Sequence, residues 1–509
     1  MIVQLDDSKY LVVNQFSGAI NLVRASWWDG LGMSPLFGGP KVKDPHVDFR
    51  DLLADSKVTM GEFSLLDRLG YFLTREKRDE LELKIATFAQ EKVQTRPHTV
   101  FITPNLSCPL GCVYCFENKV RTVEGKQARL TVGDIKYIDR FITLYRQTRK
   151  LRPDRVAVVL FGGEPLVSGL KEFNTRIIEL AVSKGYYWRV NTSGVTLDNY
   201  YLDLLARNRG NLQEVDVTVD GPEEIHNQLR GLSGGQGSFR LIKKNVEKLI
   251  DRNIRLMVKT NLGKDTIQSL EEFVNDMLGY GWFEHNCFLY ATNLVRAFGK
   301  TFAAGQEDQE DYITLKLVEL FRKPNYTVLL PKVRFEGLRV TEYLASAFGL
   351  LTYVDGNAQV VNNFDAYPKH AFCHPNDGTS LNIYCNGDVY SCNWMAGREG
   401  YSLGNVFEDC SVSEITSNLG AYQIPTINRP SCRDCSISTL CGGGCLMERE
   451  GGVDYSANCF SNTFPIIERF VIECARRHWF GTDLKGANII TIKDGFDLNY
   501  RYENRTDRK

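Results

Sequence analysis

The 509-residue sequence has no excess of either charge: 61 Lys+Arg stand against 62 Asp+Glu, a formal net charge of -1. A basic footprint for nucleic acid or an anionic membrane is therefore missing, and neither is an expected partner. No run reaches the ~18 apolar residues of a membrane span. The opening Met-Ile-Val-Gln-Leu-Asp-Asp lacks the basic-then-apolar order of a secretory signal. There is no internal repeat and no low-complexity tract, which argues against a solenoid or a disordered array. What is left is ordinary globular composition, 43% hydrophobic and 24% charged. A soluble, cytoplasmic protein of roughly three domains is expected, at about 150 residues per domain.

Cysteine is what the sequence does have. There are 14, and nine lie from Cys373 to Cys459. In a reducing compartment such a cluster points to metal or catalysis, not to disulfides. A chain this long also builds full cores without staples.

Along the chain, 10–13 and 19–23 are short apolar runs split by Ser17-Gly18, which predicts a hairpin. Residues 75–94 have helical composition, and Pro97 marks a break. From 99 to 292 the pattern alternates. Six short runs rich in β-branched and aromatic residues, at 100–103, 156–161, 188–191, 215–219, 256–259 and 287–290, predict strands buried on both faces. Between them, 131–149 and 238–251 carry apolar residues at helical spacing. Strand–helix alternation of this kind predicts parallel βα units, as an open sheet or a partial barrel, with sites at the C-terminal ends of the strands. Residues 296–370 read as a connector with one helix near 311–322. Asn386-Gly387 between apolar runs predicts a second hairpin, and 464–479 an amphipathic helix. The expected units are 1–95, 96–295, 296–370, 371–480 and a tail at 481–509, with 501–509 disordered.

Cys108, Cys112 and Cys115 follow the first of the six strands with the spacing Cys-x3-Cys-x2-Cys. Three thiolates on one tight loop suit an iron–sulfur cluster; a zinc site would need a fourth, distant ligand. A cubane held by three cysteines keeps one iron open for a small molecule.

This loop, with Tyr114 as its aromatic, resembles the radical S-adenosylmethionine (SAM) superfamily. The resemblance implies an enzyme whose open iron chelates SAM. One electron then cleaves SAM to methionine and a 5′-deoxyadenosyl radical that abstracts hydrogen from substrate. Further segments follow in the family's order. Gly162-Gly-Glu-Pro165 is similar to the Gly-Gly-Glu-Pro turn, which implies Gly162, Gly163, Glu164 and Pro165 at SAM, with Glu164 accepting from the ammonium. Asn191-Thr-Ser-Gly194 is similar to the Thr-Asn-Gly turn with Ser in place of Asn, and implies Thr192 and Ser193. Thr218-Val-Asp-Gly-Pro222, then His226 and Arg230, resembles the fourth-strand segment. It implies Thr218 and Asp220 near SAM, Arg230 on its carboxylate and a structural His226.

The C-terminal cysteines read Cys373-x13-Gly387-x4-Cys392, a gap, Cys432-x2-Cys435-x5-Cys441-x3-Cys445, and Cys459 after 13 more residues. Spacing alone leaves structural zinc open. The order resembles the SPASM auxiliary-cluster domain. That resemblance implies three [4Fe–4S] clusters in all: Cys432, Cys435, Cys441 and Cys459 on an outer auxiliary one, and Cys373, Cys392 and Cys445 on an inner one. Cys385 is a candidate eighth ligand; without it the inner cluster keeps an open iron. Cys287 and Cys474 read as core residues.

The implied fold is thus α/β: a partial (β/α)6 TIM-like radical SAM barrel, a small N-terminal α+β domain and a cysteine-rich SPASM tail. The expected function is maturation of a ribosomally made precursor peptide, as a thioether, carbon–carbon or carbon–oxygen crosslink or another oxidation. A low-potential flavodoxin- or ferredoxin-type donor is the expected electron partner. Residues 1–95 resemble, loosely, a winged-helix leader-peptide binder. The alternatives are a sulfatase maturase, a small-alcohol dehydrogenase and a non-catalytic electron carrier. Sulfatase maturases carry Asp directly after the second SPASM cysteine; here Cys392 precedes Asn393, which cannot accept a proton as carboxylate does.

Overall fold

The computed structural model describes residues 1–30, 59–71, 75–118, 120, 128–295, 310–338, 373–408, 412–420, 458–479 and 486–493, with shorter pieces at 341–371 and 432–447 and at 484. At the centre is a parallel run in sequence order: β4 (His98–Ile102), β5 (Val156–Leu160), β6 (Tyr187–Thr192), β7 (Leu212–Thr218), β8 (Leu256–Leu262), β9 (Phe288–Leu294) and β10 (Val333–Glu336). The six strands read from the sequence are β4 to β9. The seventh, β10, comes from the stretch read as a connector. It was missed because four residues, Val-Arg-Phe-Glu, are too short a run to separate from loop by pattern.

β5 shows why these segments are strands. Val-Ala-Val-Val-Leu is buried at every position, as a parallel strand covered on both faces must be. Helices supply the cover. Ile135–Thr148 buries Ile138, Phe141, Ile142 and Tyr145, an i, i+3, i+4, i+7 stripe. Phe239–Asp251 buries Phe239, Ile242, Val246, Leu249 and Ile250 in the same way.

The sheet curls. Lys259 on β8 bonds Asp216 on β7 at 3.0 Å and Glu336 on β10 at 3.2 Å. In a flat sheet β7 and β10 would lie about 14 Å apart, so one ammonium bridging carboxylates on both indicates a concave face.

The cysteine-rich segment is not a separate appendage. β13 (Ser380–Ile383) pairs in parallel with β4, in register Leu381 to Val100 and Ile383 to Ile102. It turns at Asn386-Gly387 into antiparallel β14 (Asp388–Tyr390), and β15 (Gly404–Asn405) closes that edge. Gly387 has φ +87 and a Cβ there would strike the Phe407 ring at 2.4 Å, so the turn requires glycine. Short strands β11 (Val354–Asp355) and β12 (Gln359–Val360) pair with each other.

The N-terminal sheet has the order β1 (Ile2–Asp6), β2 (Lys9–Val13), β3 (Ile20–Arg24), β16 (Ile489–Lys493), all antiparallel. The hairpin β2–β3 matches the sequence reading. The fourth strand comes from the segment read as a tail, a pairing 470 residues apart in sequence that includes Asn21 Nδ2 donating to Thr491 Oγ1 at 3.0 Å. One face of the sheet (Val3, Leu11, Val13, Ile20, Leu22) joins the main core. The other (Tyr10, Val12, Val23) packs on Trp27, Trp28 and Leu66. Residues 501–509, expected to be disordered, lie outside the described residues.

Candidate functional site

The loop bearing Cys108, Cys112 and Cys115 leaves the C-terminal end of β4 and is gripped from two sides. On one side, Gly163 N–H donates to Asn105 O at 3.2 Å and Glu164 N–H to Ser107 O at 2.7 Å. On the other, Gly111 N–H donates to Gly231 O at 2.9 Å, Val113 N–H to Leu229 O at 3.1 Å and Ser233 N–H to Pro109 O at 2.9 Å. Loop backbone is satisfied by loop backbone, which fixes where three thiols stand without a regular element. The first grip explains the glycine pair. A Cβ on Gly163 would lie 2.5 Å from the Leu106 carbonyl carbon, and one on Gly162, at φ +103, 2.9 Å from Asn105 O.

Glu164 has a different task from the one its resemblance implies. It is fully buried. One carboxylate oxygen accepts from Leu166 N–H (2.9 Å) and Thr192 Oγ1 (2.7 Å); the other accepts from Ser193 N–H (2.8 Å) and Ser193 Oγ. A carboxylate has about four acceptor positions, and all are filled, leaving none for a ligand ammonium. Glu164 ties the end of β5 to the end of β6. Thr192 and Ser193 are its donors, so Ser in place of the family's Asn has a local reason: a hydroxyl and its own N–H reach one carboxylate oxygen together. The Pro165 carbonyl accepts from buried Asn174 at 2.7 Å.

Tyr114, Asp220 and Arg230 are brought together across the mouth of the sheet. The Tyr114 hydroxyl donates to Asp220 Oδ2 and accepts from Arg230 Nη1 at 2.8 Å and Asn261 Nδ2 at 3.1 Å. Asn261 N–H also donates to Asp220 Oδ1 at 2.8 Å. Burial pushes the Asp220 carboxyl up from its ordinary value, opposed by Arg230 and by these bonds. Burial disfavours the Arg230 charge, but Tyr114, Cys112 and Asp220 outweigh it and hold the guanidinium charged beyond its ordinary range. Arg230 Nε is buried and has no hydrogen-bond partner among the described residues. The guanidinium thus keeps one edge unspent, which fits a carboxylate received bidentately. Thr218 ends β7 half-buried, in register with Lys259.

His226 is structural. Its Nδ1 accepts from Asp220 N–H at 3.1 Å, so the proton sits on Nε2 and donates to Ser238 Oγ at 2.9 Å, which donates to Arg230 O at 2.7 Å. Burial, helped by Arg230, pushes its pKa down to about 3. The unfolded chain, near 6.5, takes the proton first, so this group removes stability as pH falls from 6.5 toward 3. Thermal melts at pH 7, 5.5 and 4.5 are expected to fall less steeply for His226→Asn than for the wild type; parallel curves would count against this.

In the cysteine-rich segment, Cys373, Cys392 and Cys445 are brought close enough to repel one another as thiolates. Burial first, then Cys445, pushes the Cys392 thiol up to about 12, and burial with Cys392 and Cys445 raises Cys373 well above its ordinary value. Three partly buried thiols that raise one another's pKa in this way fit a set of cluster ligands, because a bound metal centre would offset their mutual repulsion. Asn376, missed from sequence, joins the two halves. It accepts from Cys373 Sγ at 3.2 Å and donates to Gly444 O at 3.0 Å. Cys435 N–H donates to Cys432 O at 3.2 Å, and Cys441 ends the short helix Ser438–Cys441. Three successive glycines, Gly442 to Gly444, all at positive φ, carry the chain back to Cys445. Cys385 is buried in a cluster with Leu106, Tyr384 and Tyr390, with Cys392 packed against it. The Cys459 side chain lies outside the described ones. Cys287 and Cys474 are buried in the main core.

Two aromatic contacts join the parts. Phe116, next to Cys115, sits 4.3 Å from Trp394 ring to ring, and Phe161 lies 6.3 Å from Phe116. Beside Trp394, Asn393 Oδ1 accepts from Asn382 Nδ2 at 2.7 Å.

The Radical SAM superfamily profile matches residues 102–277, and the iron–sulfur cluster-binding SPASM profile matches residues 373–436. The chain carries a radical SAM domain followed by a SPASM domain, and it is an enzyme. These domains imply SAM and [4Fe–4S] clusters as its cofactors. The enzyme is 23% identical over 381 residues to the cysteine-type anaerobic sulfatase-maturating enzyme of Clostridium perfringens, covering 70% of this chain and 91% of the relative. It is 25% identical over 224 residues to the sporulation killing factor maturation protein SkfB of Bacillus subtilis, covering 43% and 48%. In fold it is similar to native anSMEcpe with bound AdoMet and Kp18Cys peptide (TM-score 0.52, 18% identity, 75% of this chain and 99% of that one). It is also similar to Streptococcus suis SuiB bound to precursor peptide SuiA (TM-score 0.51, 12% identity, 90% and 100%). Among the described residues, no helix is long and apolar enough to cross a membrane.

Proposed function

We propose that the enzyme oxidatively crosslinks a ribosomally made precursor peptide. Cys108, Cys112 and Cys115 would hold the SAM-binding cluster. Cys432, Cys435, Cys441 and Cys459 would hold the outer auxiliary cluster, and Cys373, Cys392 and Cys445 the inner one, with Cys385 as its fourth ligand. When bound, SAM and the loop cluster supply a carbon-centred radical. The protein's part is to orient and to enclose. Arg230 receives the SAM carboxylate on its unspent edge. Glu164 holds the Thr192-Ser193 turn in place. Phe116, Phe161 and Trp394 shield the region between the cysteine loop and the hairpin from water. A flavodoxin- or ferredoxin-type protein delivers the electron, and the auxiliary clusters take up the one released when the new bond forms.

The observation that carries the choice of outcome is Asn393. Sulfatase maturation, the activity named for the Clostridium relative, calls by resemblance for a carboxylate directly after Cys392. Here an amide stands there, and Asn382 occupies its oxygen; an amide orients a substrate but removes no proton. Similarity to SuiB over 90% of this chain, in a complex with its precursor peptide, supports a peptide as the partner.

Two measurements test this. With SAM and a reductant under anaerobic conditions, the reconstituted enzyme is expected to leave a cysteine-bearing sulfatase peptide unchanged; formylglycine in the product would reject the crosslinking reading. Co-expressed with a short peptide encoded beside its gene, it is expected to remove two hydrogen atoms per crosslink, read by mass spectrometry. An unaltered peptide mass for every such neighbour would count against it.

A further inference from the structure

Arg230 does not stand alone at the mouth of the sheet. Its Nη1 is spent on Tyr114, and Tyr114 belongs to the cysteine loop, between Cys112 and Cys115. The phenol is saturated: it donates to Asp220 and accepts from Arg230 and Asn261. The backbone repeats the link, since the residues flanking Arg230, Leu229 and Gly231, accept from Val113 and Gly111 of the same loop. A guanidinium on a flexible stem has several rotamers, and holding one of them costs side-chain entropy on binding. Here that cost is met within the protein, because one end of the fork is already pinned and only the other edge remains for a ligand.

We propose that the Tyr114 hydroxyl is a positioning group for Arg230, so that an ordered cysteine loop presets the guanidinium edge and SAM affinity depends on it. The ring serves the loop; the hydroxyl serves the arginine. This rests on the reading of Arg230 as the carboxylate receptor, and it adds a reciprocal consequence: whatever orders the loop tightens SAM, and SAM in turn orders the loop.

The test is SAM binding to the anaerobically reconstituted holoenzyme by calorimetry, with iron content and melting temperature measured alongside. Tyr114→Phe keeps the ring and removes the hydroxyl's three hydrogen bonds, among them the charge-assisted one from Arg230, so its Kd is expected to rise roughly tenfold at wild-type iron content. Arg230→Lys is expected to weaken binding too. In the double variant, adding Tyr114→Phe to Arg230→Lys should cost less than about threefold more, because the hydroxyl acts through the arginine. A Tyr114→Phe Kd within about twofold of wild type, or effects that multiply in full, overturns the proposal. If Arg230→Lys binds SAM like the wild type, the assignment of Arg230 itself is what fails. Should Tyr114→Phe hold less iron than the wild type, Asn261→Ala decides: it removes one donor to the hydroxyl and leaves the loop sequence intact. A raised Kd there supports the proposal and an unchanged one overturns it.

Discussion

Cys112→Ala is expected to lower reductive SAM cleavage by at least about a thousandfold, which is about 4 kcal/mol at 1.36 kcal/mol per tenfold. The side chain removed is small and buried, and the loop around it is held by backbone bonds from Gly163, Glu164 and residues 229–233, so the fold should persist. What goes is one of three thiolates on a loop that offers no fourth among its residues. Iron in the reconstituted protein should fall by about a third, one cluster in three, while the visible absorbance of the others stays. The checks are 5′-deoxyadenosine by chromatography and iron by colorimetric assay. A variant that still makes 5′-deoxyadenosine at the wild-type rate removes Cys112 from the site; one that loses two thirds of its iron means the three cysteine sets are not independent.

Gly163→Ala is expected to be nearly as severe, through packing instead of chemistry. Its Cβ would stand 2.5 Å from the Leu106 carbonyl carbon and oxygen and from Ser107 O. These are backbone atoms of the strand-to-loop turn and cannot rotate away. Either the Gly163-to-Asn105 and Glu164-to-Ser107 bonds open or the cysteine loop shifts. Overpacking of this kind costs about 3 kcal/mol or more, and both outcomes move the thiols. Lower melting temperature and substoichiometric iron should appear together. Gly210→Ala, where nothing lies within 4 Å, is the control and should be near neutral. Equal melting temperatures for the two variants would show that the turn has slack the contact distances do not suggest.

Much of this site was legible because chemistry fixes spacing. Three thiols on one short loop are local in sequence, and an arginine suits a carboxylate; Arg230 closes the helix Glu223–Arg230 that follows the Asp220-Gly-Pro222 segment. The parts that were missed are those where function is shared between distant segments. Asn376 looks like any polar loop residue until Cys373 and Gly444 are seen on either side of it. Asn261 sits in an unremarkable Thr-Asn-Leu strand end, and only the convergence of β4, β7 and β8 brings it to the Tyr114 hydroxyl. Glu164 was placed in the right neighbourhood and given the wrong partner, because a motif says which residue is there but not how many donors already surround it. β10 escaped for a related reason, since a four-residue strand takes its identity from the neighbour it pairs with, here β9; β13 was read as one arm of the Asn386-Gly387 hairpin, but its parallel pairing with β4 was not.

The pairing of β3 with β16 has a consequence for how the molecule is made. β1, β2 and β3 are synthesised well before β16, and the N-terminal sheet stays one strand short until residues 489–493 emerge. Ribosomes add about 5–20 residues per second, so the β3 edge waits some tens of seconds with its ladder bonds unmet. An exposed strand edge during that interval is a pairing hazard, and long-range closure of this kind is slow. β16 acts as a latch on the sheet built from β1 to β3, and that sheet reaches its final form only after the barrel and the cysteine-rich segment have been made.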